Sequence, residues 1–160
     1  ADVVVTNPPF SLAVTYLQIM VAHQKKFLFI GNINIIKTEF IFQEFQKDHL
    51  RFGYHTVKEF FLPDGTIQKF GNINWFTNME VQKKKQLVLT KYYHEQKYQK
   101  YYNFDAINVN RLKDIPIDYD GIMGVPITFL DYYNPKEFQL LGISIGKFKE
   151  KLGIQKIGKE

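Results

Sequence analysis

The first hydrophobic pattern in the chain is Asp2 to Thr6 (DVVVT), a continuous β-branched run without alternation. It predicts a strand buried on both faces, as in a parallel sheet. Asn7-Pro8-Pro9-Phe10-Ser11 follows, and its adjacent prolines forbid helix and ladder alike. From Leu12 to His23 the apolar positions 13, 14, 17, 20 and 21 share one helical face, with Ser11 placed as the N-cap. Phe27 to Ile30 reads as a second buried strand closed by Gly31 and Asn32, and Thr38 to His49 returns to helical spacing. The unit is β-loop-α-β-α, which implies a parallel pair joined by a crossover helix.

From Val57 the pattern changes to strands and turns. VKEFFL, the turn Pro63-Asp64-Gly65-Thr66 and Asn72 to Met79 predict antiparallel pairing at the sheet edge, and Gln86 to Tyr93 adds a further strand. Lys83, Lys84 and Lys85, between two of these strands, read as a charged hairpin turn, with contact to a phosphate backbone as the alternative. Between Tyr101 and Gly146 the markers Pro116, Gly121, Gly124, Pro126 and Pro135 predict irregular structure, with short strands at Ile127 to Leu130 and Phe138 to Ile143. The lysine-rich end from Lys147 is expected to be a frayed or helical tail.

Composition narrows the function classes. Forty-five per cent hydrophobic residues in a chain of 160 are enough for a real core. A net charge of +5 favours an anionic partner. Zero cysteines remove disulfides, thiolate zinc sites and cysteine nucleophiles. The four histidines show no metal-ligand spacing, so no metal is expected. No apolar run approaches the roughly 20 residues of a membrane span and no signal peptide is visible, which points to a cytoplasmic protein and no membrane partner. Aromatic residues make up 16% of the chain, more than a small core needs, which leaves rings for ligand contact. A chain that opens inside a strand of this kind reads as the later part of a longer α/β domain.

The residues that carry chemistry are Asn7, Pro8, Pro9 and Phe10, placed where open α/β sheets gather their ligands, at the carboxyl end of a strand. The prolines fix the loop, so the Asn7 side-chain oxygen and the Pro8 backbone oxygen are pre-aimed acceptors. Two acceptors grip both hydrogens of an exocyclic NH2 group. Drawing them out of the ring plane localises the nitrogen lone pair and makes it a nucleophile toward an electrophilic methyl group. Phe10 supplies a flat face for a base flipped out of its duplex. The bland alternative is an Asx-type turn with a buried Phe.

This loop resembles the Asn-Pro-Pro-aromatic motif of DNA amino-methyltransferases. GNINWFTN at Gly71 to Asn78 and IPIDYDGIMGVPITFLDYYNPKEFQLLG at Ile115 to Gly142 are similar to later segments of the EcoRI-type adenine-specific DNA methylases. The resemblance implies an S-adenosylmethionine-dependent adenine-N6 methyltransferase of a restriction-modification system. Its fold class would be α/β, a partial Rossmann-like methyltransferase sheet with antiparallel edge strands and a loop-rich C-terminal extension. Residues 1–95 would be the C-terminal half of the catalytic domain and 96–160 the extension that contacts DNA. The glycine-rich S-adenosylmethionine loop and the ribose-binding acid of the family have no counterpart here. They are expected upstream, and the chain alone is expected to be inactive. The side of the first strand that would meet them should leave an apolar surface, inviting self-association.

Lys91 to Phe104 (KYYHEQKYQKYYNF) interleaves cations with tyrosines. Lys91, Lys97 and Lys100 suit the phosphates of double-stranded DNA, and Tyr98, Tyr101 and Tyr102 suit stacking on bases or sugars. A solvated sheet edge guarded by lysines is the structural alternative. Trp75 is expected in the core, while the resemblance leaves room for a role near the target-base pocket, and Asp118, Asp120 and Asp131 read as turn residues. The rival function is a non-catalytic nucleic-acid-binding or assembly module, and RNA or protein methylation is a third reading.

Overall fold

A computed structural model describes residues 2–82, 86–144 and 151–157. It is a mixed α/β structure with two sheets and two α-helices among the described residues. The chain divides into two compact units, residues 1–82 and 83–160, a boundary thirteen residues ahead of the one read from the pattern at 95. The three lysines at 83–85 lie outside the described residues.

The first unit contains β1 (Val3–Thr6), α1 (Ala13–Ala22), β2 (Lys26–Asn32), α2 (Glu39–Gln46), β3 (Arg51–Phe61) and β4 (Ile67–Thr77), with sheet order β1-β2-β4-β3. β1 and β2 are parallel, Thr6 opposite Phe29, as the crossover pattern requires. β4 is antiparallel to both β2 and β3. Rings knit the core: Phe29 stacks on Phe76 at 5.0 Å, and Phe52 meets Phe76 edge-on at 5.1 Å. Phe45 of α2 closes on Phe52 at 5.2 Å. The β3–β4 turn is held by Asp64, whose carboxylate accepts from the Thr66 amide at 2.9 Å and hydroxyl at 2.6 Å, while Gly65 takes φ +82°.

Two expectations for this unit need correction. β1 is not buried on both faces: Val3 is 39% and Val5 64% exposed. It is an edge strand whose one partner among the described residues is β2. Ser11 does not cap α1, because the Leu12 amide bonds to the Pro9 carbonyl at 2.9 Å and winds Phe10–Leu12 into a 3-10 turn first. Leu12 then occupies the N-cap position without a side-chain bond. Trp75 is half-buried, its Cβ packed so close to Gly53 that a side chain there would collide with it.

The second unit is built on a five-stranded sheet: β5 (Gln99–Lys100), β6 (Ala106–Asn108), β7 (Ile122–Val125), β8 (Phe138–Ser144) and β9 (Lys151–Lys156), in the order β5-β6-β7-β9-β8. The expected strand at 138–143 is present as β8. The extension is therefore sheet-centred rather than loop-rich. Gln86 to Tyr93 is not a strand. Only Lys91 forms a bridge, to Pro116, and the Tyr93 amide goes instead to the Asp118 carboxylate at 2.7 Å. Ile127–Asp131 is a 3-10 turn rather than a strand, since Pro126 has no amide to donate and its carbonyl takes the Phe129 amide at 2.9 Å. The lysine-rich end is neither frayed nor helical at 151–156. β9 lies between β7 and β8, with Leu152 and Ile154 fully buried. The remainder of that tail, 147–150 and 158–160, lies outside the described residues.

Candidate active site and nucleic-acid interface

The parallel pairing of β1 and β2 brings their carboxyl ends to one end of the first sheet, the position where α/β sheets hold ligands. Asn7, Pro8 and Pro9 leave β1 there. Pro8 is buried and anchors the loop, whereas Asn7 and Pro9 are exposed. The Asn7 amide has no hydrogen-bond partner among the described residues. Phe10 is 41% exposed, and its ring contacts no other ring among the described residues. The loop is thus fixed by proline and by the 3-10 turn, while the side chains of Asn7 and Phe10 stay exposed.

β1 is followed by Asn-Pro-Pro, and β2 by an Asn32-capped 3-10 turn in which the Asn32 side chain accepts from the Asn34 amide at 2.9 Å. Gly31 is not a cofactor cradle, because a Cβ there would strike the rings of Phe29 and Phe76. Neither of these two turns is a glycine-rich cofactor loop. Among the described residues, no three His, Asp or Glu side chains come together as a metal-ligating group. No helix among them is long and apolar enough to cross a membrane.

The segment Gly71 to Asn78 is scaffold. The Thr77 hydroxyl donates to the Phe27 carbonyl at 2.6 Å, while Asn78 accepts from the Phe27 amide at 3.0 Å and donates to the Lys25 carbonyl at 2.8 Å. These polar side chains lock β4 to β2. Ile115 to Gly142 likewise fills the second core, with Met123, Val125, Phe129 and Leu140 buried.

The basic aromatic segment is divided between structure and surface. Tyr98 donates its hydroxyl to the Asp114 carbonyl at 2.8 Å and stacks on Tyr93 at 5.6 Å, and Tyr93 in turn meets Tyr119 at 4.6 Å. Burial, and then the charges of Asp114 and Asp118, raise the Tyr98 phenol above its ordinary range, so the hydroxyl remains a donor. Tyr101 stacks on Phe104 at 4.6 Å. Tyr102 is fully exposed and Tyr92 is 64% exposed. Lys100 pairs with Glu95 at 3.4 Å, whereas Lys91 and Lys97 are exposed and have no ion pair among the described residues.

Lys91, Lys97 and Tyr98 come together on the wall of a cleft of roughly 690 Å3 within the second unit, and Asn108, Arg111 and Asp114 complete much of its lining. Lys100, Tyr101 and Tyr102 are not part of that lining. The pattern of cations and tyrosines found one wall. It missed Asn108 to Arg111 (NVNR), whose only sequence signal is a short polar run after an apolar strand.

A model of the family described as adenine-specific methyltransferase EcoRI matches residues 1–160. The chain is similar to the type II methyltransferase M.EcoRI of Escherichia coli, at 41% identity over 96% of this chain and 54% of that protein. It is also similar to M.MgeORF184P of Mycoplasma genitalium and M.MpnI of Mycoplasma pneumoniae, each at 37% identity over 88% of this chain and 51% of the relative. The chain therefore spans about half the length of these relatives. No solved structure matches it. With the family model covering every residue, the chain belongs to the EcoRI family of adenine-specific methyltransferases.

Proposed function

We propose that the chain is the C-terminal part of a type II DNA adenine-N6 methyltransferase. In this reading the first unit, residues 1–82, completes the Rossmann-like catalytic sheet, and the second unit, with the 96–160 extension expected from the sequence, contacts double-stranded DNA in the cytoplasm. The observation that carries the proposal is the unpartnered, exposed amide of Asn7 on a proline-fixed loop at the carboxyl end of β1, in a chain of this family. S-adenosylmethionine would supply an electrophilic methyl group, held mainly by parts of the protein that this chain does not span. The self-association expected from the sequence stays in the proposal, supported by the exposed Val3 and Val5 of β1.

The chain's own residues orient and activate the acceptor. Asn7 Oδ1 and the Pro8 carbonyl accept the two hydrogens of the adenine amino group and draw them from the ring plane, which concentrates the lone pair on N6. Phe10 stacks on the extrahelical base and offsets part of the cost of unstacking it. Pro9 holds the geometry without reorganisation at the moment of transfer. No histidine base is needed, since the proton leaves a nitrogen already made acidic by methylation.

The test is Asn7→Ala in the intact methyltransferase. Turnover of methyl transfer into duplex DNA should fall by at least about a hundredfold, the scale for losing one pre-aimed polar contact to the reacting group. DNA affinity should stay within a few fold. Near-normal turnover would sink the assignment and favour the non-catalytic binding module.

A further inference from the structure

The cleft of the second unit contains a polar group that the fold leaves unsatisfied. Asn108 is 7% exposed, and its Oδ1 is buried without a hydrogen-bond partner. An orphaned buried acceptor is costly unless a ligand completes it. Its identity as an oxygen follows from its neighbours. The Lys151 ammonium, itself buried, donates to the Val109 carbonyl at 2.9 Å and to Asn110 Oδ1 at 3.2 Å. An ammonium only donates, so the Asn110 atom facing it is the oxygen. Asn108 reaches that same oxygen at 3.3 Å and must present its Nδ2 there, which turns its Oδ1 away. Asn110 is exposed, and its Nδ2 has no partner among the described residues.

Two adjacent amides in one cleft thus offer an acceptor, Asn108 Oδ1, and a donor, Asn110 Nδ2. In the major groove adenine presents the complementary pair, an N6 donor beside an N7 acceptor, whereas guanine shows two acceptors, cytosine a donor and thymine an acceptor with a methyl group. Lys91 and Lys97 stand on the same wall without ion pairs among the described residues, and Arg111 is partly neutralised by Asp114 at 2.7 Å. We infer that this cleft reads the edge of an adenine in duplex DNA through Asn108 and Asn110, while Lys91 and Lys97 hold the neighbouring phosphates. The inference rests on the reading of the chain as DNA-acting. The adenine it concerns is a recognition base, separate from the one gripped by Asn7.

The experiment is selection of duplexes from a randomised pool by the 160-residue chain, followed by sequencing and by binding at several salt concentrations. The wild-type chain should fix adenine at one position. Asn108→Leu should lower that preference on the order of 10- to 100-fold and leave the salt slope unchanged. Asn110→Asp keeps the oxygen that Lys151 and Asn108 use but replaces the donor with a second acceptor, so that position should shift from adenine toward cytosine. Because Asn110 is exposed, this variant remains informative if Asn108→Leu does not fold. Replacing Lys91 and Lys97 by Gln should weaken binding to all sequences and flatten the salt plot by up to about 0.9 per lost contact. Unchanged adenine preference in a folded Asn108→Leu chain and in Asn110→Asp, or wild-type binding without sequence preference, overturns the inference and leaves Asn7 untouched. Absence of any binding to the pool overturns this inference and the DNA contact proposed for residues 96–160.

Discussion

The proline-fixed loop of the first unit and the basic aromatic segment of the second both carry residues suited to DNA, and they hold them in opposite ways. In the loop the backbone is rigid through Pro8, Pro9 and one 3-10 turn, and Asn7 is left without a hydrogen-bond partner and Phe10 without a ring partner among the described residues. In the segment the backbone is fixed by its own side chains. Tyr93, Tyr98 and Tyr119 form one ring cluster, Tyr101 and Phe104 another, and Lys100 is engaged with Glu95. Proline fixes a loop without using functional groups, whereas a loop that lacks it must draw on the groups it carries. Residue type alone therefore overstates the binding capacity of the second segment.

The widest separation should come from two tyrosines of that segment. Tyr98→Leu removes the bond to the Asp114 carbonyl and the stack on Tyr93, and should destabilise the second unit by about 1 to 3 kcal/mol. Tyr102→Leu, at a fully exposed position, should change stability by less than about 0.5 kcal/mol. If Tyr102 stacks on a nucleotide, its loss should instead weaken DNA binding by about 1 to 3 kcal/mol. Denaturant unfolding and DNA titration of both variants measure the two quantities separately. Equal stability losses would break the division between structural and free rings.

Phe10 gives the corresponding test on the first unit. Phe10→Ala should cost about 1 to 3 kcal/mol in capture of an extrahelical base, read by fluorescence of 2-aminopurine at the target position. Phe10→Trp should lose less, because the stacking face is kept. Since Phe10 is 41% exposed and has no ring partner, neither variant should shift the unfolding midpoint appreciably. A large stability loss in Phe10→Ala would mean that the ring is structural, like Tyr98.

Much of the first unit was legible because its signals are local: β-branched runs, helical spacing and the Pro-Asp-Gly-Thr turn each specify backbone without reference to distant residues. The burial of β1 was not legible, since a valine run shows what a strand can bury and not what lies beside it. In the second unit the decisive facts are non-local. β9 is short, follows a lysine-rich stretch and takes a place between β7 and β8 that only pairing reveals. Asn108 and Asn110 acquire their roles from Lys151, more than forty residues away, which orients both amides. The valine run in Asp2–Thr6 and the alternation in Gln86 to Tyr93 look equally strand-like, and among the described residues only the first has a neighbouring strand to meet.

The smallest expected difference is between two lysines of one segment. Lys97 has no ion pair among the described residues, so Lys97→Gln should lose close to a full phosphate contact and flatten the plot of log affinity against log salt by up to about 0.9. Lys100 is already bonded to Glu95, and Lys100→Gln should flatten it less, because a phosphate would have to compete with that carboxylate. The hydrogen bond and charge of Glu95 raise the Lys100 ammonium above its ordinary range. A raised folded-state value stabilises at every pH below the unfolded one, about 10.4, and is lost only as pH rises through the raised value. The pair should therefore add no pH dependence to DNA binding from its lysine side between neutrality and mildly alkaline pH. Titrations at two salt concentrations and two pH values in that range measure both effects. If Lys100→Gln flattened the salt plot as much as Lys97→Gln, Glu95 would be yielding to phosphate, and the segment would be less committed to its own structure than its ring clusters indicate.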